Sequence, residues 1–265
     1  MNTQTLTEWI GNPRGAIKRK ENRAIRLIRM WSKLEAKLIR IIERGGGVSE
    51  TAICGYAVLL MMETGIRIGN ESSAEGWICD NQIICRKDNP AKGLKIGDVI
   101  WKHPEFGNHV KTYGLTTLLH SHVKKKGKKL EVSFVGKKLV DQNLVTRHPT
   151  LIQFKPTGQP DDLFLGIDYY TLKKFIKKYV GSKYTPKDLR TAKVNLIFVD
   201  KFGAAKIQKE FSLATTKSGR KKVLGTAIEE VAGIIGHTKG VCKSAYLSAP
   251  LISTILNTST TGYQI

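Results

Sequence analysis

Several features that define other classes of protein are missing from this sequence of 265 residues. No apolar run approaches the roughly 20 residues that a helix needs to cross a bilayer. The N-terminus, MNTQTLTEWIGNPRG, lacks the apolar stretch of a secretory signal. These absences predict a soluble protein that is not secreted and that resides inside a cell, in the cytoplasm or nucleoid, or in a virion.

Cysteine is scarce, and motifs for metals and nucleotides are lacking as well. The four cysteines form no CxxC pair, so reduced thiols are expected in a protein without a secretory signal. The HSH stretch at 120–122 has no cysteine or carboxylate cluster beside it to complete a zinc site. No GxxxxGK[ST] loop occurs, which argues against ATP hydrolysis. The sequence therefore predicts neither a metal nor a cofactor.

Acidic residues are few for a chain this rich in lysine and arginine. There are 22 acids against 44 basic residues, a formal net charge of +22. Such an imbalance is repulsive in a compact fold and is typical of proteins with a polyanionic partner. A solvated face explains any single basic run equally well. Four runs spread along the chain favour nucleic acid over a membrane surface: KRKENRAIR, HVKKKGKK, LKKFIKKY and KSGRKK.

Hydrophobic periodicity predicts helices towards both ends of the chain. Residues 18–44 repeat apolar side chains at about 3.6-residue intervals and are followed by GGG. A second, buried helix is expected from the N-cap Ser49 to Gly65, which suits the left-handed C-cap position. After residue 160 the pattern is helical again, and SLATTKSGRKK at 212–222 is the expected mobile loop.

The middle of the chain, residues 76–155, reads as a small antiparallel sheet. LEVSFV and KLV are expected to form a hairpin with Gly136 and Lys137 at a two-residue tip. The other expected strands are QIIC, VIW, LTTLL and LIQF, separated by Gly-, Lys- and Asn-Pro-rich turns. The predicted fold class is therefore α+β and predominantly α-helical.

Two stretches place an arginine at a position that favours binding of an anion. In TPKDLR, Thr185 can cap a helix, Pro186 suits its first position and Asp188 completes a capping-box spacing. Arg190 then lies near the first turn, where backbone N–H groups favour negative charge. In TGIRIGN, Arg67 follows the buried helix between two isoleucines that should anchor it. A guanidinium held there needs an anionic partner, because burying it unpaired is costly.

A third stretch, GHTKGVCKSAYLSAP, sets His237 nine residues (246 − 237) before Tyr246, with Lys239 and Lys243 between them. Taken alone, each of these features is ordinary, since an isolated histidine or tyrosine is more often part of the packing. The other seven tyrosines lack a histidine at this spacing.

In order along the chain, the motifs TGIR, FVGK, KDLR, GHT and AY resemble those of type IB DNA topoisomerases, most closely the small viral and bacterial ones. The resemblance implies a type IB topoisomerase/tyrosine recombinase-like catalytic domain at 47–265. It leaves 1–46 as an N-terminal helical segment, where viral relatives carry a β-rich clamp domain. We therefore expect the clamp to be absent or reduced to a stub, in a naturally minimal chain or a fragment.

The resemblance implies a role for each motif residue. Tyr246 matches the nucleophile, and Arg67, Arg190 and His237 match the groups that bind the scissile phosphate. Lys137 matches the general acid. Relatives often have an aspartate at the next position, so the alternative that Lys138 is the acid stays open. The residues implied in DNA contacts are Lys187, Asn195, Lys138, Lys239 and Lys243. The expected partner is double-stranded DNA, bound by a monomer.

The chemistry of reversible strand breakage needs these residue types. A tyrosine oxygen can attack phosphorus, displace the 5′-hydroxyl and leave a 3′-phosphotyrosine without ATP. Two guanidiniums and a histidine donor suit the negative charge that gathers on the non-bridging oxygens. A lysine among other cations, its pKa lowered towards neutrality, can protonate the leaving oxygen. The sequence therefore predicts relaxation of supercoiled DNA without metal or nucleotide.

Two rival functions remain open from the sequence. A tyrosine recombinase shares the chemistry, but recombinases usually have histidine where this chain has Lys187, and no separate N-terminal core-binding domain is evident. FVGK and ESSAEG also favour the topoisomerase. The second rival is a basic DNA-packaging protein that binds DNA without cutting it, and this function predicts no covalent adduct.

Overall fold

The computed structural model describes residues 19–69, 75–79, 82–85, 109–136, 140–154, 156–249 and 251–252. The chain divides into two compact units, one formed by Met1–Lys37 with Val180–Ile265 and the other by Leu38–Tyr179. The first helix thus groups with the C-terminal helices. The border that the sequence suggested between residues 46 and 47 stays a prediction.

Two helices occupy the stretch where the periodicity predicted one, α1 at Arg19–Arg29 and α2 at Trp31–Arg44. Helix α3, Glu50–Thr64, begins and ends as predicted. Ser49 Oγ accepts a hydrogen bond from the Ala52 backbone N–H at 3.2 Å. Gly65 adopts φ 70°, the left-handed region that glycine tolerates without a Cβ clash.

The described β region contains two three-stranded antiparallel sheets. The first has the order β2-β1-β3, with β1 at Glu75–Cys79, β2 at Gln82–Cys85 and β3 at His109–Lys111. The second has the order β4-β5-β6, with β4 at Val123–Lys126, β5 at Lys129–Val135 and β6 at Asp141–Thr146. Alternate residues of β5 and β6 are buried, so one face of this second sheet covers a core.

The hairpin of β5 and β6 is confirmed, but its turn is longer than the two residues predicted. Val135 pairs with Asp141, so residues 136–140 form the connection. The Gly136 N–H donates to the Val140 carbonyl at 2.8 Å and closes this loop. The VIW run, the predicted tip residue Lys137 and residues 138–139 of the predicted KLV strand lie outside the described residues.

Two other runs that resemble strands in the sequence are not strands in the structure. Leu115–Thr117, within LTTLL, forms a 3-10 turn that the Thr117 N–H closes by donating to the Gly114 carbonyl at 2.9 Å. The Leu115 and Thr116 N–H groups donate instead to the Arg67 and Ile68 carbonyls. LIQF falls largely in helix α4, Pro149–Gln153, whose proline at the first helical position favours a helix start.

The C-terminal half is helical, as predicted. Its helices are α5 (Tyr169–Phe175, continued by a π-helical turn Ile176–Val180), α6 (Pro186–Phe202), α7 (Ala205–Leu213), α8 (Lys217–Ile234) and α9 (Lys239–Val241, continued by a π-helical turn Cys242–Tyr246). The expected mobile loop at 212–222 is wrong, since residues 214–216 connect α7 to α8 and Thr216 caps α8. No described helix has the length and apolar character needed to span a membrane.

Candidate active site

Helix α6 carries Arg190 into the interior of its unit. Thr185 and Asp188 form the predicted capping box, and Pro186 stands at the first helical position. The Arg190 side chain is buried, with 4% of its surface exposed. Its Nη2 donates to the Ile235 carbonyl at 2.7 Å, which fixes one end of the guanidinium at the C-terminus of α8. The sequence predicted that Arg190 lies near the start of a helix, which the structure confirms, and the structure shows in addition that its side chain is buried.

His237 follows the end of helix α8. Gly236 adopts φ 63°, and the His237 backbone N–H donates to the Ala232 carbonyl at 2.8 Å. The imidazole Nε2 lies 2.9 Å from Arg190 Nη2. A guanidinium has donors and no acceptor, so Nε2 accepts and the imidazole proton resides on Nδ1. Arginine and histidine therefore form one hydrogen-bonded pair.

Tyr246 completes the cluster at the end of the π-helical turn. Its ring stacks on His237, with ring centroids 5.1 Å apart and planes inclined by 24°. The Arg190 guanidinium carbon lies 5.5 Å from the centroid of the Tyr246 ring, within the range of a cation–π contact. Three of the five predicted catalytic residues thus meet in one unit, although 56 positions (246 − 190) separate the first from the last.

Asn195 holds the backbone at the tyrosine and just after it. Its Nδ2 donates to the Tyr246 carbonyl at 2.9 Å, and its Oδ1 accepts from the Ser248 N–H at 3.0 Å. The residue is 2% exposed, and Nδ2 also donates to the Thr191 carbonyl at 2.7 Å. The sequence placed Asn195 among the DNA contacts, and that stays a prediction; its contacts here are internal. Its link to Tyr246 had no signal in the sequence.

The predicted DNA-contact lysines of this unit lie at the surface. Lys187, Lys239 and Lys243 are all exposed. Lys239 Nζ lies 3.2 Å from Glu229 Oε2, an ion pair between two exposed side chains. Such pairs contribute little, at most about 1 kcal/mol, so they leave lysine available to a phosphate.

Cys242, at the start of the same π-helical turn, has an inert thiol. Burial raises the pKa of the Cys242 thiol to about 11, while the positive charge of Arg190 acts in the opposite direction. The thiol is therefore protonated at neutral pH and is a poor nucleophile. Tyr246 stays the predicted nucleophile.

Arg67 lies in the other unit, just beyond helix α3. Its carbonyl accepts the Leu115 N–H at 2.7 Å, and the Ile68 carbonyl accepts the Thr116 N–H at 2.7 Å. Ile66 is 2% exposed, in agreement with the predicted anchoring on one side. The segment that carries Arg67 is thus fastened through its backbone to residues 115–116.

Lys137 and Lys138 lie outside the described residues. The flanking strands β5 and β6 are described and form the predicted hairpin, so the loop that carries both lysines is bounded by the Val135–Asp141 pair. No group of three or more histidine, cysteine or acidic side chains suited to a metal occurs among the described residues.

Comparison with known proteins identifies similar sequences. The family described as the catalytic core of eukaryotic DNA topoisomerase I matches residues 104–258, more than half of the chain. The matched range includes Lys137, Arg190, His237 and Tyr246, whereas Arg67 precedes it.

Viral proteins are among the relatives with a similar sequence. DNA topoisomerase 1 of Rabbit fibroma virus (strain Kasza) is 28% identical over 155 residues, which are 56% of this chain and 46% of that protein. DNA topoisomerase 1B of Vaccinia virus (strain Copenhagen) is 25% identical over 150 residues, 54% of this chain and 45% of that protein. The mimivirus enzyme of the same name, from Acanthamoeba polyphaga mimivirus, is 26% identical over 155 residues. The match spans under half the length of these relatives.

Proposed function

The chain belongs to the family of the eukaryotic DNA topoisomerase I catalytic core, and from that premise we propose that it relaxes supercoiled duplex DNA as a type IB topoisomerase. It cuts one strand through a 3′-phosphotyrosine, lets the free end rotate and rejoins the strand. The observation that carries this proposal is the cluster of Arg190, His237 and Tyr246.

In the proposed reaction the Tyr246 oxygen forms a bond to phosphorus while the bond from phosphorus to the 5′-oxygen breaks. The phenolic proton is lost to solvent, and a lysine gives a proton to the leaving 5′-oxygen. Religation runs the same steps in reverse. The phosphotyrosine bond retains the energy of the phosphodiester, so neither ATP nor another energy source is required.

Arg190 and His237 are proposed to stabilise the transition state. The guanidinium is permanently charged and is held in a buried site, where a charge interacts more strongly than in water. The hydrogen bond between the two side chains fixes their relative positions before DNA arrives. A guanidinium held in place in this way needs no rearrangement as charge develops on the non-bridging oxygens. His237, whose Nε2 accepts from Arg190, is proposed to donate to the phosphate through Nδ1–H. Arg67 is proposed to supply the second guanidinium, and Lys137 or Lys138 the acid.

The family match favours relaxation over strand exchange by a recombinase. We also propose that the catalytic domain shares its fold with the tyrosine recombinases. The protein is proposed to act as a monomer on DNA inside a cell or a virion. The exposed Lys187, Lys239 and Lys243 are proposed to contact the DNA backbone, and they agree with the net charge of +22.

The test is incubation with supercoiled plasmid in EDTA without nucleotide. We expect relaxed topoisomers and, after denaturation with detergent, a protein–DNA adduct on the 3′-phosphate of the nick. A chain that binds plasmid but neither relaxes it nor forms an adduct would be a DNA-packaging protein. Strand exchange between two marked duplexes would instead identify a recombinase.

A further inference from the structure

Helix α1 is joined to the first turn of helix α6 by an ion pair. Arg23 Nε donates to Asp188 Oδ1 at 3.0 Å. The Asp188 side chain is 1% exposed and the Arg23 side chain 34% exposed, so the bond shields a buried carboxylate. Both helices belong to the same unit. The two residues are 165 positions apart, and sequence patterns gave no sign of the pairing.

Asp188 ties this ion pair to the helix cap. Its Oδ2 accepts from the Thr185 N–H at 2.9 Å and from Thr185 Oγ1 at 2.7 Å. Tyr184, the residue before Thr185, makes a second connection to the N-terminal segment, because its Oη lies 3.9 Å from Met30 Sδ. The turn at 184–188 that starts helix α6 is therefore held from within by the cap and from outside by residues 23–30.

The position of this turn determines the position of Arg190. The two residues are two apart (190 − 188) on one helix, and Arg190 Nη2 must reach both the Ile235 carbonyl and His237 Nε2. A rotation of the first turn of α6 would move the guanidinium relative to these partners and relative to Tyr246. Displacement of a catalytic group by about 1 Å is enough to lower a rate by about 100-fold.

We propose that Arg23 is a positioning residue for strand cleavage, which acts through Asp188 to hold the first turn of helix α6 and thereby Arg190. Its positive charge also neutralises the buried carboxylate of Asp188. The inference rests on that proposed function. It gives the N-terminal helix a part in catalysis that needs no contact between the helix and DNA.

The experiment compares Arg23→Gln with Arg29→Gln, which removes the same charge from an exposed position of the same helix. Adduct formation is measured in a single turnover at saturating duplex, and duplex affinity is measured separately by titration. We expect Arg23→Gln to form adduct about 10- to 100-fold more slowly than Arg29→Gln, with equal affinity. Arg23→Lys, which keeps a donor and the charge, is expected to recover most of the rate.

A double-mutant comparison tests the route through Asp188. Asp188→Asn should slow adduct formation as Arg23→Gln does, and the combined variant should be no slower than the slower single variant. Equal rates for Arg23→Gln and Arg29→Gln, or losses that multiply, would overturn the inference. The wild-type chain is assayed first: failure of the wild type to form any adduct refutes the proposed function, and an active wild type with an unaffected Arg23→Gln refutes the role of Arg23 alone.

Discussion

The amide of Asn195 on helix α6 donates to the backbone carbonyl of Tyr246 at 2.9 Å, across 51 positions of sequence. The same side chain accepts the Ser248 N–H at 3.0 Å. Arg190 lies on the same helix, and its guanidinium contacts the Tyr246 ring. Helix α6 therefore sets both the backbone of the proposed nucleophile and the charge beside its ring.

Asn195→Ala should uncouple the tyrosine from helix α6. Loss of the amide leaves the Tyr246 carbonyl and the Ser248 N–H without this partner in a buried place, and we expect the free energy of unfolding to fall by about 1–3 kcal/mol. Adduct formation should slow by about 10-fold or more, while duplex affinity stays unchanged. Urea denaturation and single-turnover cleavage measure the two effects, with the exposed Asn143→Ala as control. Weakened binding with an unchanged salt dependence would instead support the DNA contact that the sequence suggested, because a neutral amide releases no counterions.

The start of helix α6 could be predicted because the residues that determine it lie next to it in the sequence. Thr185, Pro186 and Asp188 occupy the N-cap, N1 and N3 positions, and each residue type has an intrinsic preference for its place. The same is true of helix α3, where Ser49 and Gly65 mark the two ends. Family motifs then supplied the candidate residues, which local patterns alone left ambiguous.

The contacts that assemble the site were not predictable, because they join distant segments. The bonds of Asn195 to Tyr246 and of Arg23 to Asp188 carry no periodic signal. The strand predicted for LTTLL was wrong for a related reason. The Arg67 and Ile68 carbonyls accept the Leu115 and Thr116 N–H groups, and the Thr117 N–H closes a 3-10 turn on the Gly114 carbonyl. Tertiary hydrogen bonds overrode local propensity there.

Tyr246→Phe should abolish chemistry and keep the cluster intact. The phenyl ring can still stack on His237 and lie near the Arg190 guanidinium, so the thermal midpoint and duplex affinity should stay close to those of the wild type. Without the hydroxyl no bond to phosphorus can form, and both adduct and relaxation should fall below detection. Plasmid relaxation and denaturing gels check this. Residual relaxation by a pure Tyr246→Phe preparation would assign the nucleophile elsewhere.

Arg190→Lys keeps the positive charge but loses the planar arrangement of hydrogen-bond donors. An ammonium cannot reproduce the planar group that donates to the Ile235 carbonyl and contacts both His237 and Tyr246. By analogy with arginine residues that stabilise phosphoryl transfer, we expect adduct formation to slow by roughly 10³-fold or more, with duplex affinity within a few-fold. Arg220→Lys is the matched control, since Arg220 Nε donates to the Ala214 carbonyl away from the cluster. Similar rates for the two variants would remove Arg190 from the proposed mechanism.

Lys243 and Lys239 should contribute to the salt dependence of duplex binding. Each exposed lysine that neutralises one phosphate accounts for roughly 0.9 of the slope of log affinity against log salt, so each change to glutamine should lower the slope by about that amount. Glu229→Gln removes the ion-pair partner of Lys239 and should tighten binding at low salt. Glu210→Gln, an exposed acid on helix α7, makes the same change of charge as a control. Unchanged slopes for both lysine variants would exclude them from the DNA interface.

Gly114→Ala tests whether the backbone around Arg67 must be held in place. A Cβ at residue 114 would lie 2.6 Å from the Gly69 Cα and N atoms and 3.0 Å from the Arg67 carbonyl oxygen. These are backbone atoms that cannot swing aside, so the segment at 67–69 must move. The extended φ of −155° at Gly114 suits alanine, which leaves the close approach as the source of the effect.

Overpacking of this kind typically destabilises a protein by about 1–3 kcal/mol, and we expect Gly114→Ala to slow adduct formation while duplex binding persists. The control is Gly233→Ala on helix α8, where no atom lies within 4 Å of the added Cβ. Thermal unfolding and single-turnover cleavage are measured on both variants. If Gly114→Ala lowers the thermal midpoint but cleaves at the wild-type rate, the present position of the 67–69 backbone is not required for the reaction.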